Sequence, residues 1–261
     1  EVLRDTALLD MQQMRALQVD YHSLPARELL PYLQDLWLSG KPAEARSLLA
    51  SWDHELRPVS IAAALYVAWE QELRQQAWEQ FVPEAAKPHL SSLQLERVLQ
   101  WIHRPEKMFG SAPARDAFLK ACFEDAVAVL EDALGEDMNH WQYGQAGWKH
   151  SRMTHPLSPF LSPEQQSKVD LGPLPRGGNG YTPGSTGNAY RQSSGASFRV
   201  LVPVGDWDAA LGTNSPGQSG DPDSPFYGNL FEPWARDTYF PLRYTRDSIL
   251  PHAYEREVFN P

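Results

Sequence analysis

A single cysteine, Cys122, rules out an internal disulfide, and its place in an apolar helical pattern reads as a small buried hydrophobe. Redox compartment is therefore undetermined by cysteine usage. Long apolar runs are missing as well. The longest, Ile61 to Trp69, falls far short of the ~20 residues that a membrane-spanning helix needs, and Glu70 and Glu72 follow it. No membrane partner is expected. A basic stripe is also absent: 33 acidic against 23 basic side chains give a formal charge of −10, which repels a phosphate backbone, so nucleic acid is not an expected partner. The sequence opens at Glu1 with no Met, no basic n-region and no apolar h-region. It is expected to carry no targeting signal and not to start where the gene product starts. Internal repeats and low-complexity tracts are not seen. What is present is 261 residues at 42% hydrophobic content, enough for one large core or two small ones.

Two stretches differ in grammar. Residues 1–139 read as a helical lobe, because from Thr6 to about Met138 apolar residues recur at three and four positions with breakers between the runs. The first helix carries Leu8, Met11, Met14, Leu17 and Val19 and ends near Tyr21. Pro25 opens a second, with Leu29, Leu30, Leu33, Leu36 and Trp37 on one face, stopped by Gly40 and Pro42. Further runs cover Ala43 to Ala50, Val59 to Phe81, Ser91 to Ile102, and Ala114 to Leu134 with Phe118, Cys122, Val129 and Leu130. Residues 140–261 form a loop-rich strand region, where Gly, Pro, Ser, Asn and aromatics dominate and helical periodicity disappears. Its clearest strand is Ser197 to Val204, with Phe198, Val200 and Val202 alternating with Arg199, Leu201 and Pro203. Tyr239 to Tyr244 and Tyr254 to Phe259 are weaker strands. Three strands with long loops between them cannot satisfy their own edges, so the sheet they belong to is expected to need partners from elsewhere.

Candidate chemistry is sparse. Arg176-Gly-Gly-Asn-Gly180 lacks the Lys-Ser/Thr of a phosphate-cradling loop, and Pro183 blocks a following helix, so it reads as a tight turn. His140, His150 and His155 lack the paired spacing of a zinc site. The acidic run from Glu124 to Asp137 falls at helical intervals and reads as a solvated face. In Ser215-Pro-Gly-Gln-Ser-Gly220 two glycines let the backbone turn sharply and approach another segment. Ser219 has the wrong spacing for a nucleophile elbow, which needs single residues on each side of the serine. Gly217, Gln218, Ser219 and Gly220 are kept as motif residues of unassigned role.

The segment from Ala196 through Val200, Val204, Asp206, Trp207 and Asp208, continuing from Asn214 to Tyr227, closely resembles the C-terminal signature of the penicillin acylase (penicillin amidase) family. The resemblance extends to Trp234 and Tyr239-Phe-Pro-Leu242. Upstream it takes in Trp141-Gln-Tyr-Gly144, His150, His155-Pro-Leu157, Gly177-Gly-Asn-Gly180 with Thr182, and the Gln18-Val-Asp20 helix with Ala26. Phe226, where many relatives have His, and Pro203, where Asp is usual, depart from the pattern.

The resemblance implies an N-terminal-nucleophile hydrolase and places this chain in the C-terminal part of the large subunit. The implied fold is mixed α and β: a helical lobe followed by a loop-rich β segment, a portion of the αββα sandwich. In such enzymes a Ser, Cys or Thr at the large subunit's own N-terminus attacks the amide, and its α-amino group serves as base. That residue, the oxyanion donors and the calcium ligands of the family all precede the Gln18-x-Asp20 helix. No catalytic, cofactor-binding or metal-binding residue is therefore assigned here; His22 and Ser23, in the turn after the first helix, are no substitute. The chain alone is expected to be inactive, with calcium confined to the parent protein. The implied partners are the small subunit and the first half of the large subunit, the substrate is a small-molecule amide, and the compartment is periplasmic or extracellular. The reading set against it is a non-catalytic binding or interaction module, whose mark would be Trp148, Tyr181 and Tyr190 in an exposed flat row.

Overall fold

The computed structural model describes residues 4, 8–184, 190–193, 195–253 and 257–258. Its first half is built from α1 (Met11–Gln18), α2 (Leu24–Gln34), α3 (Lys41–Leu49), α4 (Ile61–Phe81), α5 (Leu95–His103) and α6 (Ala112–Leu134). Short polar side chains set the starts: Asp10, Ser23, Ser60 and Ser111 each accept the backbone N–H three residues on, satisfying a donor the helix cannot satisfy itself. Gly135, at φ 90°, ends α6 in a conformation that a side chain would resist.

The core lies where α4 crosses α6. From Ala62 to Glu70 every residue of α4 is buried, because neighbouring helices and segments of the second half together surround it. Trp69 fixes the crossing: its indole N–H donates to the Leu119 carbonyl at 3.2 Å, and its ring meets Phe123 edge-on with centroids 5.9 Å apart. Cys122 is a buried free thiol beside this contact, and burial raises its pKa. No helix among the described residues is long and apolar enough to cross a membrane. Trp141, Tyr143 and Trp148, from beyond the helices, pack into the same core, so the second half leans on the first for its burial.

Among the described residues six short strands follow: β1 (His150–Met153), β2 (Leu171–Pro175), β3 (Arg191–Gln192), β4 (Arg199–Leu201), β5 (Leu211–Thr213) and β6 (Phe240–Pro241). They form two three-stranded sheets, β2-β1-β3 and β4-β5-β6. In the first, β1 runs antiparallel to β2 and parallel to β3; the second is antiparallel throughout, with Arg199 opposite Thr213 and Gly212 opposite Phe240. Helices α7 (Pro163–Val169) and α8 (Phe231–Ala235) interrupt the strands, and α9 (Arg246–Ile249) follows the last of them.

Several sequence expectations need correction. α2 stops at Gln34, so Trp37 leaves its apolar face and is 76% exposed, with the Lys120 ammonium over its ring. Val59 and Val129 are exposed too. The expected strand from Ser197 to Val204 contracts to Arg199–Leu201, since Pro203 has no ladder donor. That from Tyr239 to Tyr244 contracts to Phe240–Pro241, because the Asp208 carboxylate captures the amides of Tyr244 and Thr245 and turns the chain into α9. Tyr254 to Phe259 lies largely outside the described residues. Trp148 is buried and packs on Tyr190 with ring centroids 3.6 Å apart and planes tilted by 33°, so the exposed aromatic row does not exist.

Candidate functional site

The densest polar centre is buried where both sheets meet α1 and α8. Arg176 leaves the end of β2, Arg199 lies on the inward face of β4, and both guanidiniums donate Nη1 to Asp237 Oδ1, at 2.7 and 2.6 Å. The Tyr21 hydroxyl donates to Asp237 Oδ2. The remaining Arg176 bonds reach the Ala235 carbonyl at 2.8 Å and Gln192 Oε1 at 3.3 Å, while Arg199 Nη2 reaches the Trp234 carbonyl at 3.0 Å. Trp234 and Tyr21 each set a ring within 6 Å of the Arg176 guanidinium. One carboxylate thus gathers segments far apart in the chain, and the two buried cations are compensated through it. Asp237 holds this place at φ 56°, a left-handed conformation that Asp tolerates better than most side chains. Burial, with Asp237 beside it, pushes the Tyr21 hydroxyl pKa up despite the two arginines.

The helix α1 is tied to the same centre. Arg15 donates to the Asp237 carbonyl at 3.0 Å; Gln18 donates to the Val200 carbonyl at 2.9 Å and accepts the Tyr239 hydroxyl at 2.7 Å. Gln18, the first residue of the Gln-x-Asp element, is therefore a clamp between α1 and β4. Lys149, buried near Arg176, has its pKa lowered to about 8, first by burial and then by the arginine charge.

A second buried group sits on the other side of the Arg176-Gly-Gly-Asn-Gly180 turn. Asn179 Nδ2 donates to both oxygens of Glu70, at 3.2 and 3.4 Å, and its own Oδ1 accepts the Tyr181 amide. Burial raises the Glu70 pKa to about 7, against the pull of the neighbouring Tyr66 hydroxyl, Arg74 and Asn179. The turn fits because Gly177 has no side chain: a Cβ there would stand 2.7 Å from the Leu56 carbonyl oxygen.

The motif residues Gly217, Gln218, Ser219 and Gly220 lie apart from both groups. The Gln218 and Ser219 amides donate to the Phe226 carbonyl at 2.9 and 3.2 Å, and Ser219 Oγ accepts the Asp221 amide within its own loop. Among the described residues the Ser219 hydroxyl meets no general base. A Cβ on Gly217 would lie 2.2 Å from the Phe226 carbonyl oxygen, which is why this loop takes glycine. Gly217→Ala is expected to cost about 1–3 kcal/mol by forcing two backbones apart, read as a lowered urea midpoint. Three or more His, Cys, Asp or Glu side chains in metal-holding proximity are not found among the described residues. Sequence reasoning quoted Arg176 and Arg199 without assigning them a role and missed Asp237; a charge at 199 among alternating apolar residues was the available signal.

These features define a scaffold with buried ion pairs, and comparison with known proteins identifies its class. The sequence profile of the family described as penicillin amidase matches residues 1–250, and the chain belongs to that family. It is 26% identical over 250 residues to the acyl-homoserine lactone acylase QuiP of Pseudomonas aeruginosa, covering 85% of this chain and 29% of that protein. It is 28% identical over 241 residues to the penicillin acylase 2 proenzyme of Pseudomonas sp. strain SE83, covering 88% and 30%. The thermostable penicillin G acylase of Alcaligenes faecalis matches in structure with a TM-score of 0.55 over 99% of this chain and 50% of that one; at 18% identity this likeness speaks to the fold. The chain spans less than a third of the length of these curated relatives.

Proposed function

We propose that this chain is the C-terminal part of the large subunit of an amidohydrolase that cleaves a linear amide to a carboxylic acid and an amine. The hydroxyl or thiol of an N-terminal nucleophile, outside this chain, attacks the carbonyl; the amine leaves with a proton, and water then releases the acid from the acyl-enzyme. In this reading the two small sheets are portions of the αββα sandwich and this chain is inactive alone. Its partners are the small subunit and the first half of the large one, and the parent works in the periplasm or outside the cell. Calcium, by the family resemblance, belongs to the parent protein's residues outside this chain.

The observation that carries the proposal is β4. Arg199 and Leu201 face inward, whereas Phe198, Val200 and Val202 are 57%, 38% and 43% exposed on the opposite face. The outer edge of β4 pairs with no strand among the described residues; α1 lies beside the strand, and its Gln18 side chain donates to the Val200 carbonyl. An apolar strand face with an open edge asks for a covering layer and a neighbouring strand. Incubating the isolated chain with phenylacetyl and long-chain acyl amides is expected to give no amine release and no acylated species by mass spectrometry. A burst of amine with a covalent acyl adduct on this chain contradicts the proposal.

A further inference from the structure

Several cations of this acid-rich chain are neutralised by a neighbouring carboxylate. Lys41 pairs with Glu131, Arg57 with Asp53 and Glu55, Lys87 with Glu79 and Glu84, Lys120 with Glu124, and Arg236 with Glu232. The C-terminal end of α5 gathers three that are not. Arg97, Arg104 and Lys107 are exposed and form no ion pair among the described residues.

Helical geometry brings them together. Positions 97, 100, 101 and 104 are three or four apart and share one stripe of the helix. The Arg104 amide closes the last turn on the Gln100 and Trp101 carbonyls, and the short turn Pro105–Lys107 follows directly. The result is a cleft of about 490 Å³ lined by Arg97, Gln100, Trp101, His103, Arg104 and Lys107, with no carboxylate in its lining. Trp101 is held by edge contact with Phe81 at 6.0 Å, and His103 is held at Nδ1 by the Tyr32 hydroxyl at 2.8 Å and at Nε2 by the Glu28 carboxylate at 3.4 Å. The carbonyl end of a helix favours cations, which accounts for a charge or two in the last turn. It does not account for three positive charges around a concave surface with an aromatic wall and no carboxylate in its lining.

We infer that this cleft binds a phosphomonoester, its phosphate held by Arg97, Arg104 and Lys107 and its apolar or planar remainder against Trp101. A guanidinium offers paired N–H donors that match phosphate oxygens, and the nearly dianionic group balances most of the cleft's charge. The volume falls within the usual range for small-molecule sites. The site lies in the helical lobe, away from the Asp237 centre, and does not depend on the acylase reading.

Calorimetric titration of the chain with AMP, inorganic phosphate, adenosine and phosphatidylglycerol vesicles tests this. AMP is expected to bind more tightly than inorganic phosphate, adenosine not measurably, and the AMP affinity to fall with added salt. Arg97→Gln and Arg104→Gln are each expected to weaken AMP roughly tenfold, with thermal midpoints unchanged. Arg57→Gln, whose guanidinium is engaged by Asp53 and Glu55, serves as the control and is expected to bind AMP as the native chain does. Absence of AMP binding, equal binding of adenosine and AMP, undiminished AMP affinity in the Arg97 and Arg104 variants, or binding to vesicles alone each overturns the inference.

Discussion

Asp237→Ala is expected to lower the unfolding free energy by about 3–5 kcal/mol, the largest effect of any single substitution considered for this chain. The reason is asymmetry: removing one carboxylate leaves two buried guanidiniums, Arg176 and Arg199, without the charge that compensates them, and deprives Tyr21 of its acceptor. A buried ion pair is costly to assemble but costlier to break by halves. Asp237→Asn, which keeps an acceptor and loses the charge, is expected to fall between the native chain and the alanine variant. Introducing Arg199→Met into the Asp237→Ala background is expected to cost less than Arg199→Met alone, because the interaction is already gone. Urea midpoints read the native chain and all four variants. A midpoint for Asp237→Ala within error of the native value would show that the centre contributes nothing to stability.

The second large effect depends on pH. Glu70 has a folded-state pKa of about 7 against an ordinary 4.5, raised by burial, so the folded state holds its proton over a range where the unfolded state has lost it. Below about pH 4.5 both states are protonated and the group costs nothing. As pH rises from there to about 7 the folded chain loses stability, by about 3 kcal/mol in total, and above 7 the penalty is constant. Glu70→Gln removes the titration and keeps an amide that can still meet Asn179. Its stability relative to the native chain is expected to rise across that window and to reach up to about 3 kcal/mol near pH 8. Equal midpoints for the two proteins near pH 8 would contradict the assignment.

How much of this was legible beforehand follows from which interactions are local. Helix α6 is written in a three-and-four repeat of apolar residues and α4 in a continuous apolar run from Ile61 to Trp69, with Ser60 and Ser111 at their starts, and each element of those signals lies within a few residues of its partner. Trp37 was misread because the repeat was followed past Gln34, where the backbone had already left the helix. The strands were harder. β2 is Leu171-Gly-Pro-Leu-Pro, β3 is two residues long, and neither length nor composition allows an alternation to show. Their pairing is imposed by tertiary contacts, which a window of sequence does not contain. Asp237 lies 61 positions from Arg176, 38 from Arg199 and 216 from Tyr21, so nothing near it in the chain announced its role. The family signature was legible because it is carried by residue identities. Among these, the close approach of Gly217 to the Phe226 carbonyl gives a physical reason for one.

The proposal stands or falls on whether β4 is an interior strand in the whole protein. Amide hydrogen exchange across residues 198–202, compared between the isolated chain and the full-length protein, measures this directly. Strong added protection in the full-length protein is the predicted result, since the open edge and the exposed face of Phe198, Val200 and Val202 would then be covered. Equal exchange in both would mean that this strand ends the sheet as it stands, and that no missing layer completes it.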